Sequence, residues 1–176
     1  MTLSPLEILT PAPDGWSWNV LHTKPRCEKK VVALSPLKQA EFYLPCTKRA
    51  HEYGSRKRLY EVPLFTGYVF GRMPEDHVPW YRGNQYVANV IPVMHEEKLL
   101  SPLRTIATAL DSGLELDVLP DMVPGSRVKI TAGPLKGLET EIHDLSGQNK
   151  VIIQLEMIQK SVAIEIEISH LKRLPS

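Results

Sequence analysis

The stretch VKITAGPLKGLETEI (Val128–Ile142) places two glycines and a proline between two short apolar runs. Gly133 can adopt a positive φ, Pro134 fixes the backbone at the next position, and Gly137 allows the chain to re-enter a strand with close backbone approach. These three residues therefore predict a tight turn that joins two strands of a small β-rich module.

Alternating apolar and polar residues continue on both sides of this turn. The runs RVKI, LETEI, KVIIQL and SVAIEIEI are separated by turn signals, and in the last run Val162, Ile164, Ile166 and Ile168 alternate with Glu165 and Glu167. A period of two residues is typical of a half-buried strand. Four or five such strands predict a small antiparallel barrel, which we place at residues 124–176.

The segment from residue 16 to residue 111 mixes strand and helix periods and predicts an α+β domain, an antiparallel sheet with packed helices. Thr23 as a cap and Pro25 in the first turn predict a helix through Leu34, with Cys27 and Val31 facing inward. The other expected elements are strands at 16–22, 41–45, 63–73 and 86–93, a hairpin turn at Tyr53–Ser55, a short helix or loop in 76–85 and a helix at 96–110. Prolines predict a loose, flexible lead-in at 1–15, and residues 112–123, which have no clear period, predict a linker.

Positive charge is concentrated between His22 and Tyr60, where ten Lys and Arg residues face three acids, although the whole chain carries a net charge of +1. Residues 124–176 hold seven basic and six acidic residues, so this module is nearly neutral. Phosphate contacts need clustered Lys and Arg, so any nucleic acid is expected at the N-terminal half.

Several functional classes have no support in the residues. No apolar run reaches the length of a membrane helix, and the N-terminus lacks the pattern of a secretory signal. The two cysteines, Cys27 and Cys46, form no CxxC pair, and the six histidines lack metal-ligand spacing. We find no catalytic motif, so we expect a cytoplasmic protein without enzymatic activity, metal or cofactor.

Four motifs together resemble the NusG-type transcription elongation factors. They are WNVLHTKPRCEKKV, the FYLP strand, VPLFTGYVF and PGSRVKITAGPLKGLETEI, and they lie in the family's order between Trp16 and Leu174. The first three resemble the family's NGN domain and the last resembles its SH3-like KOW barrel. The basic hairpin followed by PLFTGYVF is closer to specialised paralogues of the RfaH or UpxY kind than to housekeeping NusG.

The resemblance implies a monomeric antitermination or elongation factor without a membrane partner. Its NGN domain would dock on the clamp helices of RNA polymerase and modulate pausing or termination, and its KOW domain would recruit a protein such as a ribosomal protein or Rho. By motif position, the polymerase-binding residues are Phe65, Tyr68, Phe70 and Val93. The residues assigned to non-template DNA in the transcription bubble are His22, Lys24, Arg26, Lys30, Arg56, Lys57 and Arg58.

The sequence departs from the family pattern in two places, and it leaves alternatives open. Thr66 replaces the proline of the usual FPGY, and Pro36 lies in the first helix region. Tyr68 and Phe70 could instead be ordinary core residues. The basic hairpin could instead be a solvated edge that its charges keep soluble. The alternative function is an RNA-binding ribosomal or ribosome-assembly protein with a KOW barrel, against which the low charge of residues 124–176 argues.

Overall fold

The computed structural model describes residues 3–54, 56–119, 126–145 and 148–175. Its contacts divide the chain into two compact units, Met1–Glu97 and Lys98–Ser176. The predicted boundaries at 16–111, 112–123 and 124–176 are not the same division, and they remain predictions. Helices and antiparallel sheets in the first unit and a β-rich second unit agree with the predicted fold class.

The first unit is built on a four-stranded antiparallel sheet in the order β2-β5-β1-β6, beside a separate two-stranded ribbon, β3-β4. Its strands are β1 (Trp16–Thr23), β2 (Glu41–Tyr43), β3 (Cys46–Tyr53), β4 (Arg56–Pro63), β5 (Tyr68–Pro74) and β6 (Val87–Pro92). Its helices are α1 (Pro5–Ile8), α2 (Glu28–Val32) and α3 (Val78–Arg82), with 3₁₀ turns at Ser35–Leu37 and Glu75–His77.

One core of the first unit lies on the sheet face that carries Leu21, Val69 and Val90. Val31 of α2 and Tyr81 of α3 belong to the same buried cluster. Successive residues of a strand point to opposite faces, yet Val20 and Phe70, which are neighbours of Leu21 and Val69, are also fully buried. Both faces of β1 and β5 are therefore covered, as the apolar run of the predicted central strand indicates.

Residues 9–11 of the lead-in that was predicted to be flexible (1–15) pack against the first unit. Leu9 is fully buried, and the indole Nε1 of Trp18 donates a hydrogen bond to the carbonyl oxygen of Thr10 at 3.0 Å. The guanidinium of Arg72 donates to Thr10 Oγ1 at 2.7 Å and to the Pro11 carbonyl oxygen at 3.2 Å. Because all of these partners are distant in sequence or lie in the sheet, local proline content could not indicate them.

Two element starts also differ from the predictions. Thr23 ends β1 and does not cap a helix, since the chain first makes a turn in which Cys27 N donates to Lys24 O at 3.1 Å. Helix α2 begins at Glu28. Strand β5 begins at Tyr68, five residues after the predicted start, because residues 64–67 form a turn with Gly67 at φ +85°.

The second unit contains most of helix α4 (Glu96–Asp111) and a six-stranded antiparallel sheet. The strands are β7 (Leu116–Leu119), β8 (Ser126–Ile130), β9 (Glu139–Leu145), β10 (Gln148–Leu155), β11 (Lys160–Glu165) and β12 (Leu171–Arg173), in the order β12-β8-β9-β10-β11-β7. Part of the predicted linker is thus a strand, because β7 pairs with β11 through Val118 and Val162. The rest of that linker from residue 120 lies outside the described residues.

The predicted turn lies between β8 and β9. Gly133 and Gly137 have φ values of +82° and +91°, and Gly137 N donates to Ile130 O at 2.8 Å. Leu135, two residues after Gly133, is buried. The strand predicted from the run SVAIEIEI is β11, and it is shorter than predicted because it ends at Glu165. A 3₁₀ turn at Ile168–His170 then leads into β12.

Tyr81 allows a test of the core of the first unit. Its side chain is fully buried, and its hydroxyl has no hydrogen-bond partner among the described residues. An unsatisfied buried hydroxyl costs about 1–3 kcal/mol, so we expect Tyr81→Phe to raise the free energy of unfolding by about 1 kcal/mol at neutral pH. Urea denaturation measures this change, and a less stable variant would contradict it.

The same residue gives a pH dependence. Burial raises the pKa of Tyr81 to about 12. Because this pKa exceeds the ordinary value of about 10, the folded state holds the phenol proton more tightly than the unfolded state does. Ionisation of Tyr81 therefore has no effect on the free energy of unfolding below about pH 10 and lowers it as pH rises from about 10 towards 12. Tyr81→Phe should therefore lose less stability than the wild type over this alkaline range.

Candidate functional site

His22 and Tyr68 form a stacked pair where β1 ends and β5 begins. Their rings lie 5.1 Å apart with an interplanar angle of 18°, and the two residues are opposite each other in the β1-β5 register. His22 is exposed and Tyr68 is half-buried. Asn89 of β6 lies opposite His22 on its other side, next to a register shift at His22 and Thr23. Bulges of this kind are common beside functional sites.

The turn that delivers Tyr68 to this position is made by residues 65–68. Tyr68 N donates to Phe65 O at 3.2 Å, and Gly67, the third residue of the turn, has the positive φ that a type II turn requires there. Thr66 takes the second position, where the family usually has proline, and it is exposed. A Cβ on Gly67 would lie 3.6 Å from the His22 ring, so this glycine is needed for its backbone conformation more than for space.

Glu28 fixes this turn to the rest of the unit, and the sequence did not single it out. Its Oε1 accepts a hydrogen bond from Gly67 N at 2.7 Å, while Gly67 O accepts one from Thr23 N at 2.8 Å. Glu28 is only 5% exposed. One feature of the sequence could have indicated it: Glu28 lies three residues before Val31, a spacing that places this acid on the inward face of α2.

The four predicted polymerase-binding residues do not form one exposed patch. Phe65 and Phe70 are 2% and 0% exposed, and their rings pack edge to face at 6.0 Å. Tyr68 is the most accessible aromatic of the three. Val93 is half-buried and its N–H donates to Trp18 O, four residues along β1 from His22, which corresponds to about 13 Å.

Basic residues follow His22 at the end of β1. Lys24 N donates to Tyr86 O at 2.9 Å, and the ammonium of Lys30 lies 5.4 Å from the centre of the Tyr86 ring. Arg26 has φ +61°, a left-handed conformation that is uncommon for a residue with a side chain. All three predicted DNA-binding residues of this segment are exposed, so their charges are available to phosphate.

The remaining predicted DNA-binding residues, Arg56, Lys57 and Arg58, are exposed on β4 of the ribbon. A groove joins the base of the ribbon to the segment that contains Arg26. It is lined by Arg26, Glu28, Lys29, Arg49, Glu61, Val62, Pro63, Leu64 and Thr66. The groove therefore extends from Arg26 to Arg49 of β3 and to Thr66 in the turn before Tyr68.

The site has no feature of a metal centre or a thiol nucleophile. In the described part of the chain, no group of His, Cys, Asp and Glu residues could hold a metal ion. Cys27 and Cys46 are both free, and burial raises the pKa of the Cys46 thiol, which disfavours its reactive thiolate. None of the helices that the structure describes is both long enough and apolar enough to cross a membrane.

Comparison with known proteins identifies the family. The family model described as transcription termination factor nusG matches residues 16–104, just over half of the 176 residues. A search of curated proteins gave no match. A crystal structure of an MjSpt4:Spt5 complex (conformation B) is similar with 18% identity, covering 90% of this chain and 97% of the matched chain at a TM-score of 0.30.

A structural similarity at that level carries no argument about fold or function, so the assignment depends on the family model. That model covers the sheet of the first unit, the His22–Tyr68 pair and both basic segments. The chain therefore belongs to the NusG family of transcription elongation factors, which are not known as enzymes.

Proposed function

We propose that the first unit acts as an NGN domain that binds RNA polymerase through the clamp helices and modulates pausing or termination. The observation that carries the proposal is the position of the His22–Tyr68 pair. It lies between the aromatic turn at residues 65–68 and the basic segment at 24–30, within the residues matched by the family model. This arrangement supports adjacent contacts to an apolar protein surface and to a charged strand.

In this proposal Tyr68 makes the direct contact to polymerase, and Val93 adds a second contact. Phe65 and Phe70 are buried, so they support Tyr68 from within the unit. The edge-to-face packing of the two phenylalanines holds the turn on which Tyr68 depends. The half-buried ring of Tyr68 would act as the anchor that dominates such interfaces.

The exposed basic residues His22, Lys24, Arg26, Lys30, Arg56, Lys57 and Arg58 would contact the non-template DNA strand of the transcription bubble. Contacts of Lys and Arg to phosphate carry no sequence information by themselves and weaken with salt. The second unit, with a net charge of +1 from residue 124 onward, would recruit a protein partner such as a ribosomal protein or Rho. A factor with these partners would act in the cytoplasm.

Tyr68→Ala tests the polymerase contact. We expect the variant to bind a reconstituted elongation complex at least about tenfold more weakly than wild type, because loss of an interface anchor costs 1–2 kcal/mol or more. The dissociation constant is measured with labelled protein, and RNA extension through a pause site is followed in the same samples.

Trp80→Ala is the matched control. Trp80 is an aromatic residue of the same unit, 37% exposed, on α3. It should leave binding to the elongation complex unchanged. Equal affinity of wild type and Tyr68→Ala would refute the docking surface, and ribosome binding after a high-salt wash would instead favour the ribosomal alternative.

A further inference from the structure

The β3-β4 ribbon has two chemically different faces. Residues that lie opposite each other in an antiparallel pair share a face, and the next pair along uses the other face. The register pairs Arg49 with Tyr60 and His51 with Arg58. We call the face with Arg49, His51, Arg56, Arg58 and Tyr60 the arginine face. The lysine face carries Lys48, Ala50, Lys57, Leu59 and Glu61.

Charge is divided unevenly between the faces. The arginine face holds three arginines, and none of the acids whose side chains the structure describes lies on it. On the lysine face, Glu61 lies directly opposite Lys48 and offsets its charge. The two faces also differ in their apolar groups, with Tyr60 on the arginine face and Leu59 on the lysine face, 39% and 67% exposed.

The residue types on the arginine face suit an unpaired nucleic-acid strand. An exposed tyrosine offers a flat ring on which a base can stack, and such stacking does not require a particular base. Arginine binds phosphate with two parallel hydrogen bonds, and its planar guanidinium stacks flat on rings, a geometry that the ammonium of lysine cannot provide. Arg49 lies directly opposite Tyr60, and Arg58 lies two residues before it on the same strand, so both flank the ring.

The arginine face continues towards the basic segment of the candidate site. Arg49 and Val62, which belong to this face, line the same groove as Arg26 and Thr66. Glu61 of the lysine face also lines this groove. A strand that leaves Tyr60 can follow Arg49 into the groove and reach Arg26.

We propose that the arginine face of the ribbon binds single-stranded nucleic acid, with a base stacked on Tyr60 and phosphates held by Arg49, Arg56 and Arg58. The inference rests on the proposed contact to an unpaired DNA strand and assigns it to one face of the ribbon. It adds Tyr60 and Arg49 to the contact residues.

The test uses the full chain and fluorescence anisotropy with labelled oligonucleotides of about 12 nucleotides, a length within the range that such grooves bind. The probes are oligo-dT, oligo-rU and a duplex of the same length. Tyr60→Ala should weaken binding to the single strands at least about fivefold through loss of stacking, and Tyr60→Phe should retain binding. Leu59→Ala, the neighbour on the other face, should leave it unchanged. Oligo-dT and oligo-rU should bind alike if the base and phosphate alone are recognised.

Two double variants remove the same charge from different faces. Arg49→Gln with Arg58→Gln should weaken binding more than Lys48→Gln with Lys57→Gln, and should reduce the slope of log K against log salt by about 1.4 for two lost phosphate contacts. Equal losses in the two doubles, or duplex binding as tight as single-strand binding, would overturn the face assignment while leaving a nonspecific DNA contact intact. No loss in any variant would overturn both the assignment and the proposed role of the ribbon in DNA binding.

Discussion

Trp18→Ala is expected to lower the free energy of unfolding of the first unit by about 3–5 kcal/mol, a large part of the 5–15 kcal/mol that stabilises a typical domain. Trp18 is fully buried in the middle of β1. Its removal leaves a cavity, and it also removes the hydrogen bond from the indole Nε1 to Thr10 O. That bond is one of the links that fix the lead-in, so we expect residues around Leu9 to loosen as well.

Denaturation by urea, followed by tryptophan fluorescence, measures this effect. All three tryptophans (16, 18 and 80) lie in the first unit, so the signal reports that unit alone. Trp80→Ala is the control for the loss of one fluorophore, because Trp80 is partly exposed and its removal should cost much less. A Trp18→Ala midpoint that matches the control would show that the lead-in and β1 do not form one cooperative core.

Strands with strong alternation and α4 could be predicted from sequence alone. The pattern of WSWNVLH predicts β1 to within one residue, and the helical spacing of Leu99, Leu103 and Ile106 agrees with the buried side of α4. These elements are governed by a local period that burial enforces along their whole length. The hairpin turn is likewise local, since Gly54 with φ +60° follows directly after β3.

Elements that depend on distant partners could not be predicted. The lead-in is ordered by Trp18 and Arg72, and β7 is a strand because β11 supplies its pairing partner. Helix α2 begins later than predicted since Thr23 is used in the sheet, where its N–H donates to Gly67 O. Local capping signals compete with tertiary hydrogen bonds, and here the sheet prevails.

The candidate site shows the same division. Motif position indicates Tyr68, Lys24 and Arg26, and the structure places them around one end of β1. Motif position does not indicate that Phe65 and Phe70 are buried, because an aromatic residue in an apolar run can point to either face of the sheet. Glu28 and the two faces of the ribbon depend on register and on contacts across β1, α2 and the turn, which no single segment reveals.

Glu28→Ala is the second large effect, and it connects stability to polymerase binding. The carboxylate is buried and accepts the Gly67 N–H at 2.7 Å, so its removal leaves that N–H without its partner inside the unit. Hydrogen bonds to charged groups contribute about 1.5–3 kcal/mol, and we expect the free energy of unfolding to fall by about 2 kcal/mol. Because Gly67 immediately precedes Tyr68, the variant should also bind the elongation complex more weakly.

Glu28→Gln separates the hydrogen bond from the charge. The amide oxygen of glutamine can accept the Gly67 N–H, so this variant should recover most of the stability and of the polymerase binding. The two variants are compared by urea denaturation and by the dissociation constant of the elongation complex, each measured below the unfolding midpoint. If Glu28→Ala loses stability but binds polymerase like wild type, the turn at residues 65–68 does not position the contact, and the docking surface must lie elsewhere on the first unit. If both variants lose binding equally while Glu28→Gln remains stable, the negative charge of Glu28 takes part in the contact, and its role is more than positioning.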